Sequence, residues 1–203
     1  MYFTFYAVCG FLNNSPILYV EYIYLLCYNY NMLESKDLIL REMTEADTDD
    51  LLIMFSDPKV MASFDDIIFD RAMMKKWVRR NLDHVAKYGY GLFSIIHKAD
   101  NVLVGDCGLE RMEVDGCPEV EIGYDLRSDY WNRGYATQAA AAVRDFAFEQ
   151  LRLPRVIGLV RPGNIASQRV AEKIGMTVEK EISRGRARYQ IYALSNRNLQ
   201  KAD

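Results

Sequence analysis

The run Tyr130-Trp131-Asn132-Arg133-Gly134-Tyr135-Ala136-Thr137 constrains this chain more than any other part of it. It follows a strand-like stretch, Glu119 to Leu126, and opens an alanine-rich helical stretch, Ala136 to Leu151. A strand, a tight loop and a helix start, in that order, make an anion site. The first backbone N–H groups of a helix have no partner within it, and they stand at the positive end of its dipole. Gly134 carries no Cβ, so a ligand can approach the backbone closely. The loop reads as a phosphate cradle, with an ordinary strand–helix turn as the competing reading. Two better-known cradles are absent: there is no G-x-x-x-x-G-K-[ST] run and no G-x-G-x-x-G.

A second segment has the same logic. Strand-like Arg155 to Val160 leads into Arg161-Pro162-Gly163-Asn164, and a helical pattern follows as far as Gly175. Asn164 is a good N-cap and Gly175 a good C-terminal stop. Ala166, Val170 and Ile174 recur at helical spacing and predict one buried stripe. Asn164 and Ser167 lie one turn apart beside the preceding strand, where they serve either as cap and first-turn polar residue or as ligand contacts.

Together the two segments resemble the GNAT acetyltransferase superfamily, and most closely its branch similar to ribosomal-protein-alanine and spermidine N-acetyltransferases. That branch reads Y-W-G-x-G-Y-A-T-E-A, then V-x-x-x-N-x-x-S-x-R-V-x-E-K-x-G-[FM]. Here the runs are Tyr130 to Ala139 and Val160 to Met176. The likeness also takes in Asp37 to Arg41, Thr44 to Asp47, Val104 to Leu109 and Glu121 to Tyr124, and it spans about residues 34 to 195. Two positions depart from the pattern: Asn132 stands where glycine is usual, and Gln138 where glutamate is usual. Asn tolerates a positive φ better than most residues, so Asn132 suits a tight loop.

The resemblance implies a single α+β domain. Its central sheet is mixed and mostly antiparallel, flanked by helices, with two central strands splayed to admit a ligand. It implies acetyl-CoA as cosubstrate, no metal, and a primary amine that attacks the thioester directly in a ternary complex. Arg133, Gly134, Tyr135, Ala136 and Thr137, with Asn132, are expected to hold the pyrophosphate. Backbone groups of Tyr124, Asp125 and Leu126 are expected at the thioester, and Asn164 and Ser167 at the pantetheine arm. Lys173 is a candidate for the adenosine phosphate, or simply a solvated lysine.

Chemically, amine attack needs a proton acceptor, an N–H donor for the oxyanion and a route out for the thiolate. Glu121, on the opposite strand face from Val120 and Ile122, is the chosen base, with Glu119 and Glu110 as alternatives. Ser167 is the chosen group for the thiolate, with Tyr189 and Tyr192 as other acids. A noncatalytic acyl-CoA-binding or regulatory domain on the same fold is the alternative function.

The remaining features set bounds. A chain of 203 residues fits one domain, and a net charge of -3 disfavours nonspecific nucleic-acid binding. Cys9, Cys27, Cys107 and Cys117 form no C-x-x-C, which suits a reducing, cytoplasmic compartment without structural disulfides. The expected partner is an amine acceptor, either a small molecule or a protein N-terminus, and pairing of two copies is left open. Residues 1–32 are apolar, with Glu21 their only charge, and Asn13, Asn14, Pro16 and Glu21 interrupt them, which disfavours a membrane span. The reading of this stretch is a dispensable extension or start-site artefact. A domain over residues 33–203 follows it, and a protein starting at Met32 is expected to be soluble and active.

The predicted elements are strands at Leu38–Arg41, Tyr90–His97, Val102–Leu109, Glu119–Leu126, Arg155–Val160, Val178–Ile182 and Arg188–Leu194. Helices are predicted from Thr44 or Asp47 to Met54 or Phe55, over Arg71–Lys87, and at the two segments described above.

Overall fold

The computed structural model describes residues 32–64, 67–185 and 187–196. From Met32 on, the chain forms one compact unit. Of the apolar extension, only Met32 lies within the described residues.

The strands are β1 (Met32–Glu34), β2 (Leu38–Glu42), β3 (Leu92–His97), β4 (Val102–Val114), β5 (Cys117–Leu126), β6 (Arg155–Val160), β7 (Thr177–Arg184) and β8 (Ala187–Ser195). They form a single sheet in the order β1-β2-β3-β4-β5-β6-β8-β7. Every neighbouring pair is antiparallel except β5 and β6. The α+β class and the mixed, mostly antiparallel sheet are as the sequence implies.

Alternation along the strands sends successive side chains to opposite faces. On one face Phe93, Ile95, Cys107, Leu109 and Ile122 pack against Ala139, Ala140 and Val143 of helix α4 (Tyr135–Asp145) and against Ala171 and Ile174 of α5 (Ile165–Lys173). On the other face Leu92 and Leu103 pack against Leu51, Met54 and Phe55 of α1 (Thr48–Phe55), against α2 (Pro58–Met61), and against Met74 and Val78 of α3 (Arg71–Tyr88). Asp70 caps α3 by accepting the Met73 N–H at 2.8 Å, and Gly89 ends it at φ 77. Both roles belong to residue types that suit them.

Several boundaries differ from the sequence reading, each for a local reason. β4 and β5 extend beyond Leu109 and Glu119 to meet at Asp115-Gly116, whose φ values of 51 and 78 are both left-handed. Asp-Gly is the pair that a two-residue hairpin turn of this hand favours. The helix from Tyr135 keeps α geometry only to Asp145, then widens into a π turn over Phe146–Gln150. Asp47 does not cap α1. Its carboxylate turns back to the Thr44 N–H at 2.8 Å and to Arg41 at 2.6 Å. The predicted stripe on α5 is also displaced: Ala166 is exposed, while Ala171 and Ile174 are buried with Val170 beside them.

Candidate active site

β5 and β6 register at one point, Glu121 opposite Ile157. Beyond it the strands diverge, and the backbone of Ile122 to Leu126 has no ladder partner on that side. The next donor on β6, the Leu159 N–H, bonds the Glu121 carboxylate at 3.1 Å rather than a strand carbonyl. Glu121 therefore stands at the vertex of the split. Burial, first of all, raises its carboxyl, and Glu110 and Asp125 add to this. The Leu159 N–H and the Arg184 charge oppose it, and the result is a pKa of about 7.

The other two carboxylates considered as bases are engaged elsewhere. Glu110 pairs with Arg80 at 3.0 Å and Glu119 with Arg155 at 3.2 Å. Glu121 thus differs from them in having a backbone donor and no cation in contact.

At the far end of β5, Trp131 donates its indole N–H to the Leu126 carbonyl at 2.8 Å and fixes the start of the loop. Asn132 and Gly134 both adopt left-handed backbone, at φ 61 and 81. Asn132 therefore replaces glycine with the residue that best tolerates this region. No side chain caps α4. Its first internal bond runs from the Gln138 N–H to the Gly134 carbonyl, at 3.1 Å. The earlier N–H groups of Tyr135, Ala136 and Thr137 have no partner within the helix. α2, α3 and α5 are all capped, by Asp57, Asp70 and Asn164.

Facing this loop across the split, Asn164 accepts the Ser167 N–H at 3.1 Å. The cap uses its oxygen only, so the amide N–H₂ keeps no partner among the described residues. The Ser167 hydroxyl is likewise unengaged, while its carbonyl accepts from the Tyr124 hydroxyl at 3.0 Å. Burial, chiefly, drives the Tyr124 phenol well above its ordinary value. Lys173 is exposed on α5. Tyr192 is buried in the core, and Tyr189 lies under the Arg161 guanidinium, 5.7 Å from its ring centre.

Residues 37–177 match the acetyltransferase (GNAT) domain family. The chain belongs to that family. It is 32% identical to YkkB of Bacillus subtilis over 160 residues, which cover 78% of this chain and 92% of that one. A GNAT-family acetyltransferase from Bacillus anthracis has the same fold, with a TM-score of 0.70 and 27% identity, over 82% of this chain and 99% of that one. RimL, a ribosomal L7/L12 alpha-N-protein acetyltransferase solved with coenzyme A, matches at a TM-score of 0.69 and 19% identity, over 81% and 98%. Among the described residues no helix is long and apolar enough to cross a membrane.

The side-chain contacts of three groups in this GNAT domain escaped the sequence reading. His97 lies between the tyrosines of the loop, with its Nδ1 2.9 Å from Asp100 and its Nε2 2.9 Å from the Tyr135 hydroxyl. Tyr130 donates to the same Asp100 at 2.7 Å, and that bond more than any other holds the Asp100 carboxyl below the usual range. The β3–β4 turn is thereby tied to the loop. Gln138, the second departure from the family pattern, accepts from the Ser35 hydroxyl and the Asp37 N–H, and donates to the Asp37 carboxylate at 2.8 Å. A glutamate could not make that last bond. Finally, Asp106 and Asp125 lie opposite each other on β4 and β5. A short charged residue inside an apolar run carries no mark of its partner until register is known.

Proposed function

We propose that this chain is an acetyl-CoA-dependent N-acetyltransferase that moves the acetyl group to a primary amine within a ternary complex. The observation that carries the reading is Glu121 at the vertex of the β5–β6 split. Its carboxyl sits near 7, and an uncapped helix start opens at the other end of the same strand. RimL, which shares the fold, was solved with coenzyme A.

In this reading the N–H groups from Arg133 to Thr137 bind the pyrophosphate, helped by the left-handed turns at Asn132 and Gly134. The pantetheine arm lies along the free edge of β5, with the Asn164 amide donating to it. Acetyl-CoA supplies an activated thioester. Glu121 accepts the proton that the amine loses, a contribution of about 10²–10⁴ in rate for a well-placed base. A backbone N–H of Tyr124 to Leu126 steadies the oxyanion. The departing sulfur meets the Ser167 hydroxyl, with the Tyr124 phenol, kept protonated by burial, one hydrogen bond away on the Ser167 carbonyl.

Calorimetric titration of acetyl-CoA, followed by thiol release with an amine panel, tests this reading. Saturable binding and amine-dependent release are expected. In Gly134→Glu, a carboxylate enters the cradle and binding should vanish. Undiminished affinity in that variant would remove the site from the loop. Binding without release from any amine would favour a regulatory acyl-CoA-binding domain instead.

A further inference from the structure

The arm of β4 and β5 that runs past Glu121 folds over the other half of the sheet. Met112 and Val114 pack with Ile157 and Leu159 of β6, Ile191 of β8 and Ile182 of β7. Val156, Val160 and Tyr192, which alternate with these residues, are buried in the core beneath α4 and α5, so the arm lies on the opposite face. Glu121 alternates with buried Ile122 and shares that face. Charged groups from both halves of the sheet meet there.

Most of them are already engaged. Glu110 holds Arg80, Asp115 holds Lys180, and Arg155 bridges Glu119 and Glu179. Asp106 is 1% exposed, and among the described residues neither of its carboxylate oxygens has a hydrogen-bond partner. Burial raises both its carboxyl and that of Asp125, opposite it, and holds back part of their charge near neutrality. The chain at Gly91–Leu92 crosses over Gly108, where a Cβ would stand 2.1 Å from the Gly91 carbonyl oxygen. That crossing closes the β4 side of the path from Glu121 to the Asp106–Asp125 pair.

Arg184, at the end of β7, is the exception. It is exposed, and its Nη1 lies 4.0 Å from the Met112 sulfur, a weak acceptor. Among the described residues it has no carboxylate partner. Its charge nevertheless reaches Glu121, where it opposes the upward pull of burial. Met112 is the diagonal neighbour of Glu121 in the β4–β5 register, with Cβ atoms about 7–8 Å apart. On the same face Tyr189, opposite Ile182, lies under the Arg161 guanidinium, which adds positive charge. A proton acceptor and a guanidinium fork with donors to spare thus flank one opening from opposite halves of the sheet.

We propose that Arg184 anchors an anionic group of the acceptor, so that the favoured substrate is a zwitterion, a primary amine with a carboxylate one to three carbons from the nitrogen. A guanidinium meets a carboxylate through two parallel N–H bonds, which selects geometry as well as charge. A short carbon chain, with a hydrogen bond of about 3 Å at each end, spans the diagonal from Glu121 to Arg184. This assignment rests on the reading of Glu121 as the base. The neutral amine attacks, the nitrogen–acetyl bond forms and the thioester C–S bond breaks. The amine proton passes to Glu121, and the sulfur leaves as the thiolate. The carboxylate of the acceptor takes no part in the transfer.

The test measures thiol release with glycine, β-alanine and 4-aminobutanoate, each against its uncharged amide, for the full chain and for Arg184→Gln. The acids should exceed their amides at least tenfold in kcat/KM, through KM. Basicity biases the comparison the other way, since a carboxylate stabilises the ammonium form of its own molecule. In Arg184→Gln the ratio should fall to within about twofold, with a cooperative melting profile, as the exposure of Arg184 implies. A cation that only tunes Glu121 would change acids and amides alike. An unchanged ratio in the variant, or equal values in the unmodified enzyme, therefore overturns the proposal. So does turnover of a plain alkylamine without turnover of the acids. Should no amine be acetylated, titration of the same acids and amides into protein saturated with desulfo-coenzyme A decides. Acid-selective binding that Arg184→Gln abolishes upholds the anchor and sinks the transferase reading alone. Absent or unselective binding to folded protein sinks the anchor.

Discussion

At the scale of single residues, Glu121 and Gln138 make opposite uses of a partly buried position. Glu121 gains a raised pKa from burial and from Glu110 and Asp125, so near neutrality part of the population is carboxylate, able to take up a proton. The rate should climb as pH rises through about 7 and then level off. Glu121→Gln should lose that limb and lower kcat by about 10²–10³, with acetyl-CoA affinity unchanged in a calorimeter. An intact limb in that variant would move the base to another group. Gln138 is the reverse case, a neutral side chain where charge would hurt. Gln138→Glu sets a second carboxylate against Asp37 in place of a 2.8 Å hydrogen bond. A loss of about 1–3 kcal/mol in denaturant unfolding is expected. Equal stability would mean that the β2 end yields to avoid the contact.

At the scale of elements, the loop before α4 is rigid for reasons that lie outside it. His97, Asp100, Tyr130 and Tyr135 hold it from the β3–β4 turn, and Trp131 holds it from β5. His97→Phe keeps the ring but removes both hydrogen bonds. The acetyl-CoA Kd should rise about tenfold, equivalent to about 1.4 kcal/mol, with the melting profile still cooperative. An unchanged Kd would make the brace purely structural. Much of this element was legible in the sequence. Gly134, the strand before it and the alanine-rich helix after it are local signals, and so is the Asn164 cap. The brace was not legible, because His97 and Tyr135 meet only through the sheet. The hairpin at Asp115-Gly116 had its signal in plain view, but the polar alternation of Glu110 to Glu113 hid two strands that run on past the core. Asp106 was hidden in another way, since its opposition to Asp125 is a property of register and not of either strand.

At the scale of the whole molecule, buried carboxyls set how the fold answers to pH. Asp125, raised to about 7 by burial and by Glu110, and Glu121 bind protons more tightly folded than unfolded, and Asp106 is shifted the same way. Stability therefore falls as pH rises from about 4 to about 7, because the native state must lose protons that it holds well. Asp47 acts in the other direction. Burial raises its carboxyl, but bonds from Arg41, the Thr44 N–H and Ser94 outweigh that and hold it below its ordinary value. Its contribution is present above about pH 4 and lost on acidification below that. The ligand-free protein should be most stable in mildly acid buffer. At pH 8 Asp106→Asn should be more stable than the unmodified chain by about 1–3 kcal/mol, with the two converging only near pH 4, where Asp is protonated in the unfolded chain as well. Melting curves across that range check this, and a destabilised variant at pH 8 would show that Asp106 has a donor in solution. The sheet itself, joined across its middle by one register pair, is two plates meeting at a seam. A cosubstrate lying in that seam would complete the architecture as a ninth, non-peptide strand. Its departure after each turnover would then briefly return the enzyme to an unfinished fold, with exchange of the amides that face the seam fast in the empty protein and slow in the loaded one.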